Sequence, residues 1–598
     1  MPDSPVPADS SVVRLTITSD GTTIDDTYAI LSVEVRNDVN RIPWARLVLV
    51  DGDAAEQDFP VSNAATFQPG ATIAVSAGYG SGQDEEQIFS GVVIRHGIRA
   101  GVGGSRLEVE CQDPAVAMTI GRKNAQFTQK TDAAVIREVV SGYSGLSAQV
   151  TGGDDVTHDE ILQYYCTDWD FVVARAEAAG LLVSADQGTV TVGAPDTGGT
   201  AVLAVAFGET LMEFEAEADA RTQLTQVSAV AWDPVGQQVT EETASPPTLT
   251  SQGDLQASTL AGIVGPSSYR LQTSAPIDSA GLTAWAEARQ LRAGLAKIRG
   301  HMRFQGHAAA KPGVLMEVSG LGERFSGTVF VTGVEHRLTE GNWTTDARFG
   351  LAPEWLTRRP DVVAPPASGW TPGVEGLQIG VVQAVKASPD GEPKIQLSFP
   401  VLGDDSQTLW ARLASIHATQ DSGVFFRPDI GDEVVVGFLA NDPSAPVILG
   451  GLHSKTRAPA ESWEADNLVR SVVTPEQLIL RFDDEKKVIT LQTPAGNTVI
   501  LDDDQKSLTV SDGNSNSVTL DSSGIVLKAQ KDITIQADGN LNLTATQNIS
   551  LSATGDLSAD GMNVDLSAQT ALTAQGTASA ELSASGETTV KGAMVMIN

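Results

Sequence analysis

Seven histidines are the residues best suited to metal or acid–base work, and they are scattered: His96, His158, His301, His307, His336, His417 and His453. None stands at ligand spacing from another His or Cys, so structural roles are expected for all of them. No HExxH, G-x-S-x-G, phosphate-binding Gly-Lys loop or CxxC pair occurs in the chain. The run Asp502, Asp503, Asp504 is the best cation candidate, because hard oxygen ligands from several chains could converge on one axis. A solvated turn is the preferred reading of that run. Adjacent carboxylates at Asp404 with Asp405 and Asp483 with Asp484 are candidates for a glycosidase acid/base pair. Sequence gives no separation between them, and loop charge is preferred. Cys111 and Cys166 are read as reduced, buried thiols of a protein folded in a reducing compartment. No catalytic residue, cofactor or bound metal is therefore expected, and the chain is read as no enzyme.

The elements that would position any site are mostly strands. From residue 11 to about 125, apolar runs such as VVRLTIT, ARLVLV, ATIAVSAGY and RLEVEC alternate with Gly, Pro, Asn and Asp, which predicts an antiparallel sheet or barrel. Then the period changes. Val135, Ile136, Val139 and Val140 share a helical face, with Thr131 or Asp132 to cap it and Gly142 to stop it. A second helix has Thr167 and Asp170 as a capping box, Trp169, Val172, Val173 and Ala176 as its buried stripe and Gly180 as its end. Residues 201–275 return to strands. The pattern from 279 to 299 predicts the longest helix, with Leu282, Trp285, Leu291, Leu295 and Ile298 along one side. Residues 1–10 are expected to be a flexible N-terminus, 11–357 a β-rich base with inserted helices, and the Pro-rich stretch 358–372 a linker. Five strands between 373 and 459 suit a closed barrel of the OB type, with Phe399, Trp410, Phe425, Phe426 and Phe438 in core or interface and no aromatic platform for nucleic acid.

The chain of 598 residues carries 39 Lys+Arg against 75 Asp+Glu, a formal charge of −36. That sign argues against nucleic acid and anionic lipid as partners. Neither a signal peptide nor a membrane-spanning run is read, so the chain is expected to be made in the cytoplasm and carried out by other means.

Beyond Phe482 the composition shifts: no Phe, Tyr, Trp, Arg, His or Cys occurs from Asp483 to Asn598. Ile525, Ile533, Leu541, Ile549 and Leu557 recur every eight residues, and Leu527, Ile535, Leu543, Leu551 and Ala559 repeat the interval two residues on. A one-residue insertion is read before Leu566, Ala574, Leu582 and Val590, with Gly, Asn or Asp expected at the bends. Two small apolar side chains per repeat cannot build a core in one chain. Several copies wound together would fill a narrow axis and pair one another's strand edges. Residues 460–598 are accordingly expected to form a rod of several intertwined copies, of β-helix or β-prism type.

The stretch TDWDFVVARAEAAGLLV (167–183) resembles the TDWDF-x4-A-E-x-x-G-L signature of the VgrG-type spike proteins of contractile injection systems, relatives of the contractile-phage hub and spike. RFSGTVFVTGVEHRLTEGNWTT (324–345) is similar to a hub strand ending in a histidine turn. The P-x-x-G-D-E-V and D-P-x-x-P-V-I-L-G turns within 423–452 are similar to that family's barrel. The resemblance implies a mainly β homotrimer with minor α: β-barrel hub domains meeting tail tube and baseplate proteins, an OB-fold collar, and an intertwined needle. It further implies a PAAR-type tip protein at Met594, Val595, Met596, Ile597 and Asn598, effector cargo, and penetration of a target membrane on sheath contraction. No room for an enzyme is read between barrel and rod or after the rod. A type VI secretion system, a phage tail and an extracellular particle all stay open, with compactness favouring the last. A trimeric tailspike enzyme that degrades envelope polysaccharide and a passive adhesin fibre are the alternatives.

Overall fold

The computed structural model describes residues 2–6, 12–80, 85–386, 388–403 and 407–597. Asp404, Asp405 and Asn598 lie outside the described residues. The chain falls into two compact units, Met1–Leu452 and His453–Asn598, so the barrel belongs to the first.

Strict alternation builds the main sheet. In Trp44–Val50 and Arg106–Gln112 every second side chain is buried, which places one face of each strand on a core. Thirteen strands make up this sheet, eleven of them along one path, with Leu203–Ala206 and Leu315–Ser319 branching from it. Gly327–Thr339 links its two halves: it pairs with Asn342–Phe349 on one edge and with Ile30–Asp38 on the other, where His336 stands opposite Val35. One core gathers Ile17, Leu47, Ile73, Val75 and Trp343, and another gathers Met302, Phe304, Val331 and Phe349. Among the described residues, ring closure occurs in the OB-type barrel and not in this path.

Two lobes interrupt the sheet. In the first, helices Asp132–Ser141 and Asp168–Ala178 pack on the ladder of Lys123–Thr131 with Thr157–Cys166. Thr131 caps the earlier helix through its hydroxyl and Gly142 ends it, as expected. In the second lobe, helix Ser279–Leu295 covers the sheet of Val227–Asp233, Gln238–Thr243 and Tyr269–Thr273. This helix is shorter than the periodicity suggests. Ile298 opens the strand Ile298–Gln305, its side chain buried in a different core from Leu282. Within the stretch 201–275, expected to be strands, the structure has a helix at Ala257–Val264; it buries only Leu260 and Ala261, too few for a visible helical stripe.

The Pro-rich stretch 358–372 is held by the first lobe. The Arg122 guanidinium donates to the carbonyls of Asp361, Val362 and Val363 at 2.5, 3.2 and 2.9 Å, and Val362 and Ala367 are buried. A spacer would leave such carbonyls to water. Next comes the closed barrel of Gln378–Ala384, Lys394–Ser398, Thr408–Leu413, Pro446–Gly451 and Glu433–Phe438, in that ring order. Within it Thr408–Leu413 and Pro446–Gly451 run parallel, with Arg412 opposite Val447. Phe399 and Phe438 meet inside, ring centroids 6.0 Å apart. Phe425 and Phe426 are instead 79% and 65% exposed, so they are no part of the barrel core.

The second unit begins with seven short antiparallel strands in sequence order, from Val469–Val473 to Gly524–Lys528. Asp502 closes a turn here, its carboxylate accepting from the Gln505 amide at 2.9 Å. Beyond Lys528 the chain is extended and bends at 530–531, 538–539, 546–547 and 554–555. Gly stands at two of these four bends, at Gly539 and Gly555, while Gln530–Lys531 and Thr546–Gln547 make the other two. The phase change is a deletion: bends at 554–555 and 569–570 are fifteen residues apart with one between them, one short of two repeats. Leu566 therefore continues the series of Ala559, not that of Leu557.

Candidate functional site

The signature 167–181 is a set of structural fasteners. The Thr167 hydroxyl accepts from the Asp170 amide at 3.0 Å and donates to its carboxylate at 2.6 Å, fixing the helix start. Asp168 is buried and accepts from Gln163 Nε2 (2.8 Å), Lys123 Nζ (2.7 Å) and the Tyr143 hydroxyl (2.6 Å). Burial pushes its carboxyl up, but those three hydrogen bonds outweigh it and leave the pKa lowered. Phe171 stacks on Phe127 with centroids 5.8 Å apart. Gly180 takes a φ of +73°, which ends the helix where a side chain would be strained.

Glu177 does the most joining. One carboxylate oxygen accepts from Arg292 at 2.7 Å and from Asn40 Nδ2 at 3.2 Å, and the other accepts from the Leu356 amide at 2.8 Å. Arg292 also donates to the carbonyls of Ala352 and Glu354 at 2.8 and 2.5 Å. This pair ties both lobes and the strand turn at Asn40 to the chain that leads to the barrel. Sequence reasoning named the glutamate only within the motif and missed Arg292, whose partners lie far away along the chain.

Three other polar groupings have the residue types of active sites. Asp132 accepts from Arg175 Nε at 2.5 Å and lies 3.1 Å from His158 Nε2. Burial raises the Asp132 carboxyl, and its hydrogen bonds with His158 and Arg175 more than reverse the shift, so the group bridges two elements as an ion. Ser62 Oγ lies 2.8 Å from His96 Nε2, whose Nδ1 lies 2.8 Å from the Phe67 carbonyl. The geometry is that of a nucleophile and base. However, the Asp51 carboxylate takes the amides of Val61 and Ser62, which leaves no such donors for an oxyanion. His336, expected near a turn, is mid-strand, 5% exposed and 2.9 Å from Thr345 Oγ1. The turn itself is Glu340 and Gly341, both at positive φ.

Cys111 is buried and Cys166 half-buried, and both thiols are free. Burial pushes Cys111 up to about 12, far from a reactive thiolate. Among the described residues no group of three or more His, Cys, Asp or Glu could hold a metal ion, Asp502 to Asp504 included. No helix among them is long and apolar enough to cross a membrane.

What the molecule does offer is apolar surface without a partner. Ile525, Ile533, Leu541, Ile549 and Leu557 are 71%, 55%, 57%, 56% and 69% exposed. Met594, Val595, Met596 and Ile597 are also exposed. Among the described residues no hydrogen bond joins two backbone groups beyond Lys528. On the barrel side, Trp370, Phe425 and Phe426 add exposed aromatics. Unpaired strands and exposed apolar rows are features of an assembling surface.

Comparison with known proteins gives two family matches and several partial relatives. Residues 9–340 match the family model described as the Alg8 N-terminal domain, and residues 378–453 match the type VI secretion system/phage-baseplate injector OB domain. The type VI secretion system spike protein VgrG5 of Pseudomonas aeruginosa is 36% identical over 116 residues, 18% of this chain and 14% of that protein. VgrG2a of the same organism is 28% identical over 138 residues, 22% of this chain and 16% of that protein. The chain thus spans only a small part of those curated relatives. A solved component of the Escherichia coli type VI secretion system aligns with 73% of this chain and 99% of its own, at 12% identity and a TM-score of 0.37. The chain belongs to the family of the Alg8 N-terminal domain, which covers more than half of its length; it also carries an injector OB domain and is similar over part of its length to VgrG-type spike proteins.

Proposed function

We propose that the chain works as a homotrimeric structural spike of a contractile injection system. Residues 11–357 form the hub that meets tail tube and baseplate proteins, and the barrels form a collar. The octads of three copies intertwine as a needle driven through a target envelope on sheath contraction. A PAAR-type tip seats on Met594 to Asn598, and the particle is assembled in the cytoplasm. The work is mechanical rather than catalytic.

One observation carries this reading. The extended run beyond Lys528 holds its eight-residue bends with apolar pairs exposed and backbone groups unpaired within the chain. Each lost backbone hydrogen bond is costly only where water is excluded, and intertwined copies would both exclude water and supply the partners. Electron microscopy of the purified chain tests it. A slender rod projecting from a threefold head is expected. Compact particles without a rod would sink the needle, and failure to co-purify with a tail tube protein would remove the hub assignment.

A further inference from the structure

The first unit contains a cleft of about 380 Å³ whose lining has the opposite charge to the molecule. Six arginines line it against Asp38, Glu177 and Glu354, a local excess of three positive charges in a chain of −36. Not all of this charge is spent internally. Arg292 is satisfied by Glu177 and two carbonyls, and Arg36 and Arg348 share Asp38. Arg41 and Arg359 are exposed and have no ion pair among the described residues. Arg299 reaches Glu217 through one terminal nitrogen, while its Nε is buried without an acceptor. A buried donor left unpaired is a cost that a ligand oxygen would remove.

The chemistry of the ligand follows from how the guanidiniums are spread. They come from the Ile30–Asp38 strand and the turn after it, from Ile298–Gln305, from Asn342–Phe349 and from the segment that follows. The helix residues in the lining, Glu177 and Arg292, stand in the last turns of their helices. Those are the ends with negative partial charge, unsuited to a compact phosphate. Separated forks facing separated carboxylates suit a peptide better.

We propose that this cleft is a docking site for an acidic peptide segment of a neighbouring protein in the assembly, held by Arg41, Arg359 and Arg299. The proposal rests on the reading of residues 11–357 as the surface that meets other tail proteins. Arg41 and Arg359 select for acidic side chains on the segment, and the Arg299 Nε takes one oxygen that enters the cleft.

The test measures anisotropy of a labelled oligoglutamate peptide with the full-length protein, with inorganic pyrophosphate as competitor. Binding at low salt that weakens as salt rises is expected. In the double variant Arg41→Glu with Arg359→Glu, affinity should fall at least about tenfold, and Arg41→Gln with Arg359→Gln should give a smaller loss. Both positions are exposed, and an unchanged unfolding midpoint confirms that the variants fold. Absence of peptide binding, or binding unchanged in the double variants, would overturn the proposal. So would pyrophosphate that binds while the peptide does not. A drop in oligomer mass in the variants would assign the cleft to a second copy of the chain and overturn it too. The mass of the unaltered protein tests the trimer separately, so failure of the cleft and failure of the assembly are distinguishable.

Discussion

His336 is surrounded by Thr345 and Trp343 in the middle of a sheet, and burial holds its pKa down to about 3 from the ordinary 6.5, with His307 and Lys311 adding repulsion. The neutral ring is therefore the folded form, while the unfolded chain takes up a proton near 6.5. Stability from this group is complete above that pH and is lost as pH falls toward 3, at about 1.4 kcal/mol per pH unit. Denaturant titrations between pH 6 and 4 should show a steeper decline for the native protein than for His336→Gln. Parallel curves would contradict the assignment. Glu177 is the other residue whose change should be large. Replacing it with alanine leaves the Arg292 guanidinium, 9% exposed, without its counter-ion, and should cost about 3–5 kcal/mol in the unfolding of the first unit.

At the scale of elements, the helix Asp168–Ala178 depends on its start, and Thr167→Ala should destabilise it by about 1 kcal/mol, read as a lowered denaturant midpoint. Gly306 lies against Trp343, where an added Cβ would clash with the indole. Gly306→Ala should therefore cost about 1–3 kcal/mol by overpacking, and a neutral result would mean that the ring moves freely. These elements also show why some of the fold was legible and some was not. Period-two burial in Trp44–Val50, the caps at Thr131 and Thr167 and the five barrel strands are local patterns, and local patterns survive in a sequence. The anchoring of 361–363 by Arg122 depends on one side chain about 240 residues away, and composition alone made that stretch read as a spacer. The end of helix Ser279–Leu295 was hidden because Ile298 keeps the apolar spacing while belonging to a strand. Likewise the octad register slipped by comparing Leu566 with Leu557, when the bends align it with Ala559. The motif at 167–181 was legible as a motif, but its role as a fastener needed the distant partners Lys123, Tyr143 and Arg292.

Across the whole molecule, the two units have opposite economies. In the first, large side chains such as Trp343, Phe304 and Phe349 are almost fully buried, each contributing about 1.5–3 kcal/mol. In the second, the octad residues remain exposed within one chain, and in the proposed assembly other copies would cover them. Replacing Ile533, Leu541 and Ile549 together by Asn should leave unfolding of the first unit unchanged while removing self-association, because the altered rows belong to the second unit. Acidic residues outnumber lysines beyond Asp483, and with the many Ser and Thr they would help to keep the proposed rod in solution. The central claim, that the octads are completed by identical chains, is tested most directly by light scattering of the purified full-length protein over a wide dilution range. A mass three times the 62.5 kDa of one chain, unchanged on dilution, is predicted. The mass of a single chain at every concentration would contradict it.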